Sequence, residues 1–486
     1  MRLTYVALVG APLAAALLAA VVRPYRSWVG TAGALLSTLS LAAGLRLAGQ
    51  GLGGVPPTWG PSELMRVDAL SALLAVCVTF VAALAAWLGP GLGRDEHYTP
   101  AQARRYRTFS SLFAFTMLIA VTANNVAVMW VAVEATTIAS ALLIPLHVSK
   151  ASVEASWKYI LIGSVGIALA FVGTVLGYFD YVHMAGERES ALNWTSLMAA
   201  APSMHPRVMA LAFVFIVIGY GTKAGLAPMH TWLPDAHAEA PAPLSAMMSG
   251  VLLAVALYAI IRWKVVVGLT VGSTLPDRLL LVLGLASLAV AALSLIGQRQ
   301  YKRLLAYSSI EHTGLMCVGL GLGPLGTFAA LLHLVNHAVA KGMMFLLSGR
   351  ILDRYHTTGM GEVSGLLRAM PVTGGLFAAG MLALAGLPPF GIFFSKFALL
   401  RAGFVTGHPW LMAVVLVLLL VAVIAMLAQI NRMLYGALPE GIRVGESHRW
   451  GLVPLALCVV LLVAFGFGGF GALQSLLDRA VEVISR

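Results

Sequence analysis

Charged residues are scarce in this chain: they make up 10% of its 486 residues, whereas hydrophobic residues make up 60%. A typical soluble domain carries about 25% charged residues, which keep its surface solvated. A soluble fold of this length could not cover its surface with so few charges. The scarcity therefore excludes an ordinary soluble protein and predicts that lipid surrounds most of the chain.

Cysteine is also rare, and Cys77, Cys317 and Cys458 each stand alone within an apolar run. Isolated cysteines fit neither a disulfide framework nor a ligand set for a metal ion or an iron–sulfur cluster. The sequence has no glycine-rich dinucleotide-binding motif either. We therefore predict no cofactor, no metal site and no catalytic residue in this chain.

Acidic residues are fewer than basic ones, and the net charge is +12. Nucleic acid binding would require the basic residues to cluster, whereas here they are scattered through short polar segments. The segments that follow odd-numbered apolar runs hold more of them, for example Arg94, Arg104 and Arg105. The positive-inside rule places such segments in the cytoplasm. We therefore predict a multi-pass protein of the cell inner membrane, with both termini outside and no nucleic acid partner.

Long apolar runs recur along the whole chain, each close to the roughly 20 residues with which a helix crosses a bilayer. The runs lie near 5–22, 28–48, 68–92, 107–124, 126–148, 156–179, 207–235, 243–268, 277–297, 302–322, 325–349, 371–402, 408–434 and 450–474. The first is expected to be a retained helix, because basic residues and many further spans follow it. The predicted fold class is an all-α polytopic membrane protein with about fourteen transmembrane helices.

Charged side chains inside these runs are the most informative feature of the sequence. A charge at membrane depth is costly unless it faces protein, a partner or water. Titratable residues within the predicted spans include Glu134, Lys223, Glu311, His312, Lys341 and Lys396. For His312 a packing role remains an equal alternative, and for Glu134 an ion pair with Lys223 that only holds two helices together.

The segment HLVNHAVAKGMMF places His333, His337 and Lys341 at positions i, i+4 and i+8. Residues with this spacing lie on nearly the same face of a helix. Three titratable groups on one face are a costly way to pack helices in a membrane. The stripe therefore predicts part of a proton path, along which protons move between these groups through short water chains.

Two predicted spans contain helix breakers at mid-depth. Gly219, Gly221, Gly225 and Pro228 surround Lys223 in IGYGTKAGLAPMHTWLPDAH. In LAGLPPFGIFFSKFALL, the residues just before Lys396 include Gly386, Pro388, Pro389 and Gly391. Proline removes a helix hydrogen bond, and open backbone at membrane depth is tolerated only inside protein or against water. Broken helices at corresponding positions of two halves are typical of ion pathways built from internal repeats.

These residues and motifs together resemble the antiporter-like subunits of respiratory complex I and of Mrp-type sodium/proton antiporters, over roughly 65–435. The segments PMHTWLPDAHAEAPAPLSAMMSG and YSSIEHTG are most similar to the hydrogenase-4 component F subgroup. Subunits of that subgroup belong to membrane-bound group 4 nickel–iron hydrogenases and formate hydrogenlyase-type complexes.

The resemblance implies N-terminal helices in 1–106, two inverted five-helix repeats in 107–268 and 277–434, and a last helix and tail in 450–486. It implies that Glu134 is the family's fifth-helix glutamate and Lys223 the lysine of its broken seventh helix. It further implies that Lys341, with His333 and His337, forms the central eleventh-helix cluster. Lys396 corresponds to the lysine of the broken twelfth helix, near the outer face.

The eighth span departs from the family pattern. Many relatives have a lysine or histidine in the middle of this helix, whereas SAMMSGVLLAVALYAII offers only Ser245, Ser249 and Tyr258. A link between two half-channels must then use water, or His230 and His237 at the end of the seventh span.

The predicted function is that of a proton-translocating membrane subunit of a redox-driven complex, with sodium as an alternative ion. Electron transfer would take place in partner subunits, which would carry nickel–iron and iron–sulfur centres. One alternative is a proton-conducting membrane partner in an inorganic-carbon uptake complex. Another is a stand-alone cation/proton antiporter.

Overall fold

A computed structural model describes residues 1–50, 56–92, 98–446, 449–468 and 471–485. Helices make up most of the described chain. Those of the N-terminal half are α1 (Arg2–Val21), α2 (Ser27–Gln50), α3 (Ala69–Leu88), α4 (Pro100–Thr122), α5 (Val126–Ala141), α6 (Lys150–Ala185), α7 (Trp194–Ala200), α8 (Pro206–Lys223), α9 (Trp232–Glu239), α10 (Ala242–Met247) and α11 (Leu253–Val271).

The C-terminal half continues with α12 (Thr274–Ile296), α13 (Tyr301–Leu320), α14 (Gly323–Tyr355), α15 (Leu366–Ala369), α16 (Pro371–Ala385), α17 (Gly391–Val405), α18 (Pro409–Tyr435), α19 (Leu452–Gly466) and α20 (Gly471–Ile484). Short 3-10 segments lie at Pro61–Glu63, Ile144–Leu146, Ala201–Ser203, Met229–Thr231 and Arg449–Gly451. Two short strands, β1 (Thr58–Trp59) and β2 (Met65–Arg66), pair antiparallel.

Eleven helical segments in the described part of the chain are long and apolar enough to cross a membrane. The predicted runs 107–124, 302–322 and 371–402 also coincide with helices, but α4, α13 and the pair α16–α17 are not among the eleven. The α16 and α17 helices have 15 residues each, so neither crosses alone. The chain is therefore an all-α multi-pass membrane protein, as predicted, and the number fourteen stays a prediction.

Polar residues at the ends of the apolar runs fix where several helices begin. The carboxylate of Asp68 accepts a 3.0 Å hydrogen bond from the backbone N–H of Ser71 and caps α3. The side chain of Asn125 caps α5 in the same way, and Ser149 with Ser152 forms a reciprocal capping box at α6. Such caps satisfy N–H groups that a helix leaves without partners in its first turn.

The structure confirms both predicted breaks. The α8 helix ends at Lys223, and α9 begins only at Trp232 after a stretch with a cis peptide bond before Pro228. The second break separates α16 from α17 and contains a cis peptide bond before Pro389. Gly225 and Gly386 adopt φ angles of +73° and +82°, which residues with a Cβ atom rarely tolerate. Each break therefore opens the backbone close to a buried lysine.

The centre of the molecule is formed by two helices that pack against each other. The first joins α10 and α11 through a π-helical turn, Met248–Leu252, that the sequence did not predict. The second is α14, which packs against α10 and the π-helical turn. Every residue of 243–263 and of 333–348 is buried. The titratable stripe on α14 is therefore enclosed by protein.

Some residues used in the sequence predictions lie outside the part of the chain that the structure describes. Arg94, one of the basic residues used to orient the chain, lies outside them. Some predicted segments also include residues that the structure does not describe, namely 51–55, 93–97, 447–448, 469–470 and 486. For those segments the structure describes only the remaining residues. The division into 1–106, 107–268, 277–434 and 450–486 stays a prediction.

Candidate ion pathway

Lys223 forms the first buried cationic centre, at the C-terminal end of α8 where the helix breaks. Its side chain is 0% exposed. The ammonium donates to Thr137 Oγ1 at 2.5 Å and to the Tyr159 hydroxyl at 2.8 Å, and it lies 4.5 Å from the centroid of the Tyr159 ring. The negative end of the α8 dipole and the face of an aromatic ring both favour a cation here.

Glu134 lies one helical turn before Thr137 on α5 and is only partly buried. Its carboxylate accepts hydrogen bonds from Thr137 Oγ1 at 3.2 Å and from Ser164 Oγ at 2.9 Å. The Thr137 hydroxyl therefore accepts from Lys223 and donates to Glu134. The sequence suggested an ion pair between these two residues, and the structure connects them through this hydroxyl.

Lys341 forms the second centre, on the turn of α14 that faces α13. Its ammonium donates to the Leu305 carbonyl at 2.7 Å and to the Ser308 hydroxyl, and the side chain is 0% exposed. Both hydrogen-bond partners are neutral, so the dipoles of these two oxygens of α13 stabilise the cation. The ammonium of Lys341 therefore has hydrogen-bond acceptors that stabilise its charge inside the protein.

The histidines predicted on α14 meet His312 of α13. His312 Nδ1 lies 2.8 Å from His333 Nε2, and His333 Nδ1 lies 2.8 Å from Ser395 Oγ of α17. The His312 and His337 rings lie 5.2 Å apart, centroid to centroid. Because His312 hydrogen-bonds directly to the stripe, the structure places it in the same cluster and not at an isolated packing position.

Lys396 forms the third centre, together with Glu311. The ammonium lies 3.0 Å from Glu311 Oε1, and both side chains are almost fully buried. Lys396 also lies 3.4 Å from the carbonyls of Leu384 and Ala385, which end α16 at the break. The sequence predicted both residues but not their pairing, which depends on how α17 packs against α13.

His230 and His237, the two candidates for a link between the halves, lie in different surroundings. His237 is 0% exposed, and its ring stacks on Phe345 of α14 at 4.9 Å. Neither ring nitrogen of His237 has a hydrogen-bond partner among the described residues. His230 is partly exposed, with its ring 6.5 Å from that of Tyr307. Only His237 therefore lies in the enclosed region next to α14.

Two buried basic residues, Arg262 and Lys302, were not predicted from the sequence, because they were counted with the loops. Arg262 lies inside the predicted span 243–268 and pairs with Asp68 at 2.7 Å, with side-chain exposures of 9% and 2%. Lys302 is 2% exposed and donates to the carbonyls of Ala238 and Ala240, at the C-terminal end of α9. A search for charges of opposite sign near span ends could have found the Asp68–Arg262 pair.

Loss of Lys341 should impair proton movement more than loss of His333. Water can replace a missing imidazole in a polar cavity, whereas no neighbour replaces the fixed charge that Leu305 and Ser308 solvate. The measurement is the rate of proton uptake into sealed vesicles by the Lys341→Ala and His333→Ala proteins, at matched protein content. A His333→Ala protein that transports more slowly than Lys341→Ala would contradict this ranking.

The family model for the membrane-spanning region of NADH:quinone oxidoreductase and Mrp antiporter subunits matches residues 123–423. The chain belongs to this family. The antiporter-like chain is also 39% identical over 386 residues to a hydrogenase-4 component F homolog from Methylacidiphilum infernorum (isolate V4), covering 78% of this chain and 81% of that one. The resemblance read from the sequence motifs is thereby confirmed.

Two solved structures are similar to this antiporter-like subunit over nearly its whole length. A chain of the membrane-bound sulfane sulfur reductase, an archaeal respiratory membrane complex, matches with a TM-score of 0.90 at 24% identity, covering 100% of this chain and 98% of that chain. A chain of respiratory complex I from Thermus thermophilus matches with a TM-score of 0.77 at 26% identity, covering 95% and 96%. These relatives are subunits of multi-subunit membrane complexes.

Proposed function

We propose that this antiporter-like subunit translocates protons across the membrane along its row of buried titratable side chains. The observation that carries the proposal is that Lys223, Lys341 and Lys396 are each enclosed in protein and each touch hydroxyl, carbonyl or carboxylate oxygens. Burying a lysine in a membrane protein is costly, so three buried lysines that contact polar oxygens favour a functional role over packing alone. Residues of this kind mark ion pathways and proton relays.

The contacts of Lys223 suggest how a proton is released there. The Thr137 hydroxyl holds the Glu134 carboxylate close to the ammonium, and this negative charge favours the protonated lysine. A displacement of α5 relative to α8 that breaks the Thr137 contact would remove that support. Lys223 would then release its proton to a neighbouring oxygen. When the contact forms again, Lys223 would bind another proton.

We propose that the driving event takes place in partner subunits. Redox centres there, nickel–iron and iron–sulfur centres in a hydrogenase-like complex, would change charge, and packed helices would transmit the change to the buried row. The complex would lie in the cell inner membrane, with both termini of this chain outside. The segments 107–268 and 277–434 would be the two inverted repeats, one around Lys223 and one around Lys341 and Lys396.

The Thr137 bridge gives a direct test of this mechanism. Thr137→Val keeps the shape of the side chain but removes the hydroxyl that joins Lys223 to Glu134. We expect proton translocation to fall by about tenfold or more, because the charge coupling that drives release is lost. Glu134→Gln, which removes the charge itself, should show a similar loss. The measurement is vesicle acidification per redox turnover by the intact complex.

Thr137→Ser restores the hydroxyl and is the matched control, with expected activity near that of the unmodified protein. Thr174, buried on α6, donates to the Ala170 carbonyl of its own helix, so Thr174→Val controls for removal of a buried hydroxyl. Normal pumping by Glu134→Gln would show that Glu134 is not a coupling charge.

A further inference from the structure

The central helix of this subunit has no acidic, lysine or histidine side chain at its middle. Between His237 and Arg262 the residues with side-chain hydroxyls are Ser245, Ser249 and Tyr258, and no acidic, lysine or histidine side chain follows Glu239 there. The two halves of the buried row are therefore separated by a helix that offers a proton no carboxylate, lysine or imidazole along this stretch. Something else must carry protons past it if the row is continuous.

The π-helical turn Met248–Leu252 brings this helix unusually close to α14. A Cβ atom at Gly250 would lie 3.2 Å from the Ala338 carbonyl oxygen and 3.5 Å from the Gly342 backbone nitrogen. Glycine is therefore the residue that lets the two backbones approach at the turn that carries Lys341. Single π-helical turns inside α-helices occur frequently at functional sites.

Ser249, within the π-helical turn, faces a serine of α13. Its Oγ lies 2.7 Å from Ser309 Oγ, and either hydroxyl can be the donor. Ser309 Oγ lies 3.0 Å from the Leu305 carbonyl oxygen, which also accepts from Lys341 at 2.7 Å. The Lys341 ammonium and the Ser309 hydroxyl thus share one carbonyl acceptor, which places Lys341 beside a pair of hydroxyls that joins two helices.

The same central helix also contacts His237, one of the two candidates for a link between the halves. Ser245, one helical turn before Ser249, donates to the His237 carbonyl at 3.2 Å. The His237 ring is fully buried, has no hydrogen-bond partner at either nitrogen among the described residues, and stacks on Phe345, one turn beyond Lys341. A buried imidazole with both nitrogens free can still accept or donate a proton.

We propose that the Ser249–Ser309 hydroxyl pair is the point at which protons cross between the two halves of the buried row. The inference rests on the proposed function, since it assumes that the row conducts protons. A water molecule that takes a proton from Lys341 delivers it to one serine oxygen, and that hydroxyl passes its own proton to the other serine. The second serine releases its proton to a water molecule on the His237 side. One proton enters and one leaves, and no bond between heavy atoms changes.

The experiment uses the full complex in sealed vesicles and compares the Ser249→Ala, Ser309→Ala and double-alanine proteins. We expect each single variant to lower the proton translocation rate by about tenfold or more, within reach of what a positioned proton-transfer group contributes. The double variant should be no slower than either single variant, because the two hydroxyls act as a unit. Ser309→Thr, which keeps the hydroxyl, should recover most of the rate.

Ser40→Ala provides the matched control. Ser40 is buried and donates to the Leu8 carbonyl across the α1–α2 contact, so this variant also loses a hydrogen bond between helices but far along the chain from the row. It should lower the unfolding temperature about as much as Ser249→Ala while leaving proton translocation unchanged. Equal losses of stability with unequal losses of transport would separate conduction from packing.

Unchanged translocation in Ser249→Ala and Ser309→Ala, together with lost translocation in Lys223→Ala, would overturn the serine crossing and leave the proposed function intact. Unchanged translocation in all of these variants would overturn both. Additive losses in the double variant would also contradict the inference, because they would mean that the two hydroxyls act separately.

Discussion

Lys223→Ala is expected to abolish proton translocation while the complex still assembles. The variant removes the only cation that contacts Thr137 and the Tyr159 hydroxyl among the described residues, so the first buried centre can no longer hold a proton. Assembly should survive because Glu134 is partly exposed and keeps its hydrogen bonds from Ser164 and Thr137. The measurements are vesicle acidification and the yield of complex after purification.

Lys264→Ala is the matched control for this prediction. Lys264 also lies on a membrane helix, where it pairs with Asp277 at 2.8 Å and donates to the Leu320 carbonyl. Neither of these contacts within the described part of the chain involves the three buried centres. Its loss should leave translocation near normal. If Lys223→Ala instead prevents assembly, the contacts of Lys223 serve to hold α8 against α5 and α6, and the conduction role assigned to them is wrong.

Lys396→Met should both stop translocation and destabilise the protein by about 3–5 kcal/mol, the usual cost of leaving one member of a buried ion pair without the other. Glu311 is 1% exposed, and its Oε2 has no hydrogen-bond partner among the described residues, so its buried negative charge would lose the cation that it contacts directly. The measurements are the free energy of unfolding in detergent and the translocation rate in vesicles.

The double variant Glu311→Gln/Lys396→Met separates the two effects. Replacing both charged groups removes the buried charge, so most of the stability should return. Translocation should not return, because the third centre can no longer hold a proton. A double variant that pumps normally would show that the pair only holds α13 against α17.

The sequence predicted well what hydrophobicity and local spacing determine. Apolar length located the helices, proline and glycine located the breaks after Lys223 and before Lys396, and the cost of buried charge identified the lysines. These properties depend on residues close together in the chain. The stripe of His333, His337 and Lys341 was visible for the same reason, since one helix sets its geometry.

The sequence could not predict contacts between residues far apart in the chain. The bridge through Thr137 and the Glu311–Lys396 pair join residues on different helices, and nothing local to either residue specifies the partner. The π-helical turn at Met248–Leu252 was also missed, because it changes no hydrophobic pattern and shows only in the backbone. The buried ion pair of Arg262 was missed because its partner, Asp68, lies at the start of another span.

The most direct test of the central claim is to purify this chain with its copurifying subunits, seal the complex in vesicles and follow the internal pH during redox turnover. We expect proton movement that is coupled to turnover and unchanged when sodium is removed. This movement should be lost in both the Lys223→Ala and the Lys341→Ala proteins while their redox chemistry remains. Turnover without any pH change, movement of sodium alone, or normal proton movement in either lysine variant would contradict the central claim.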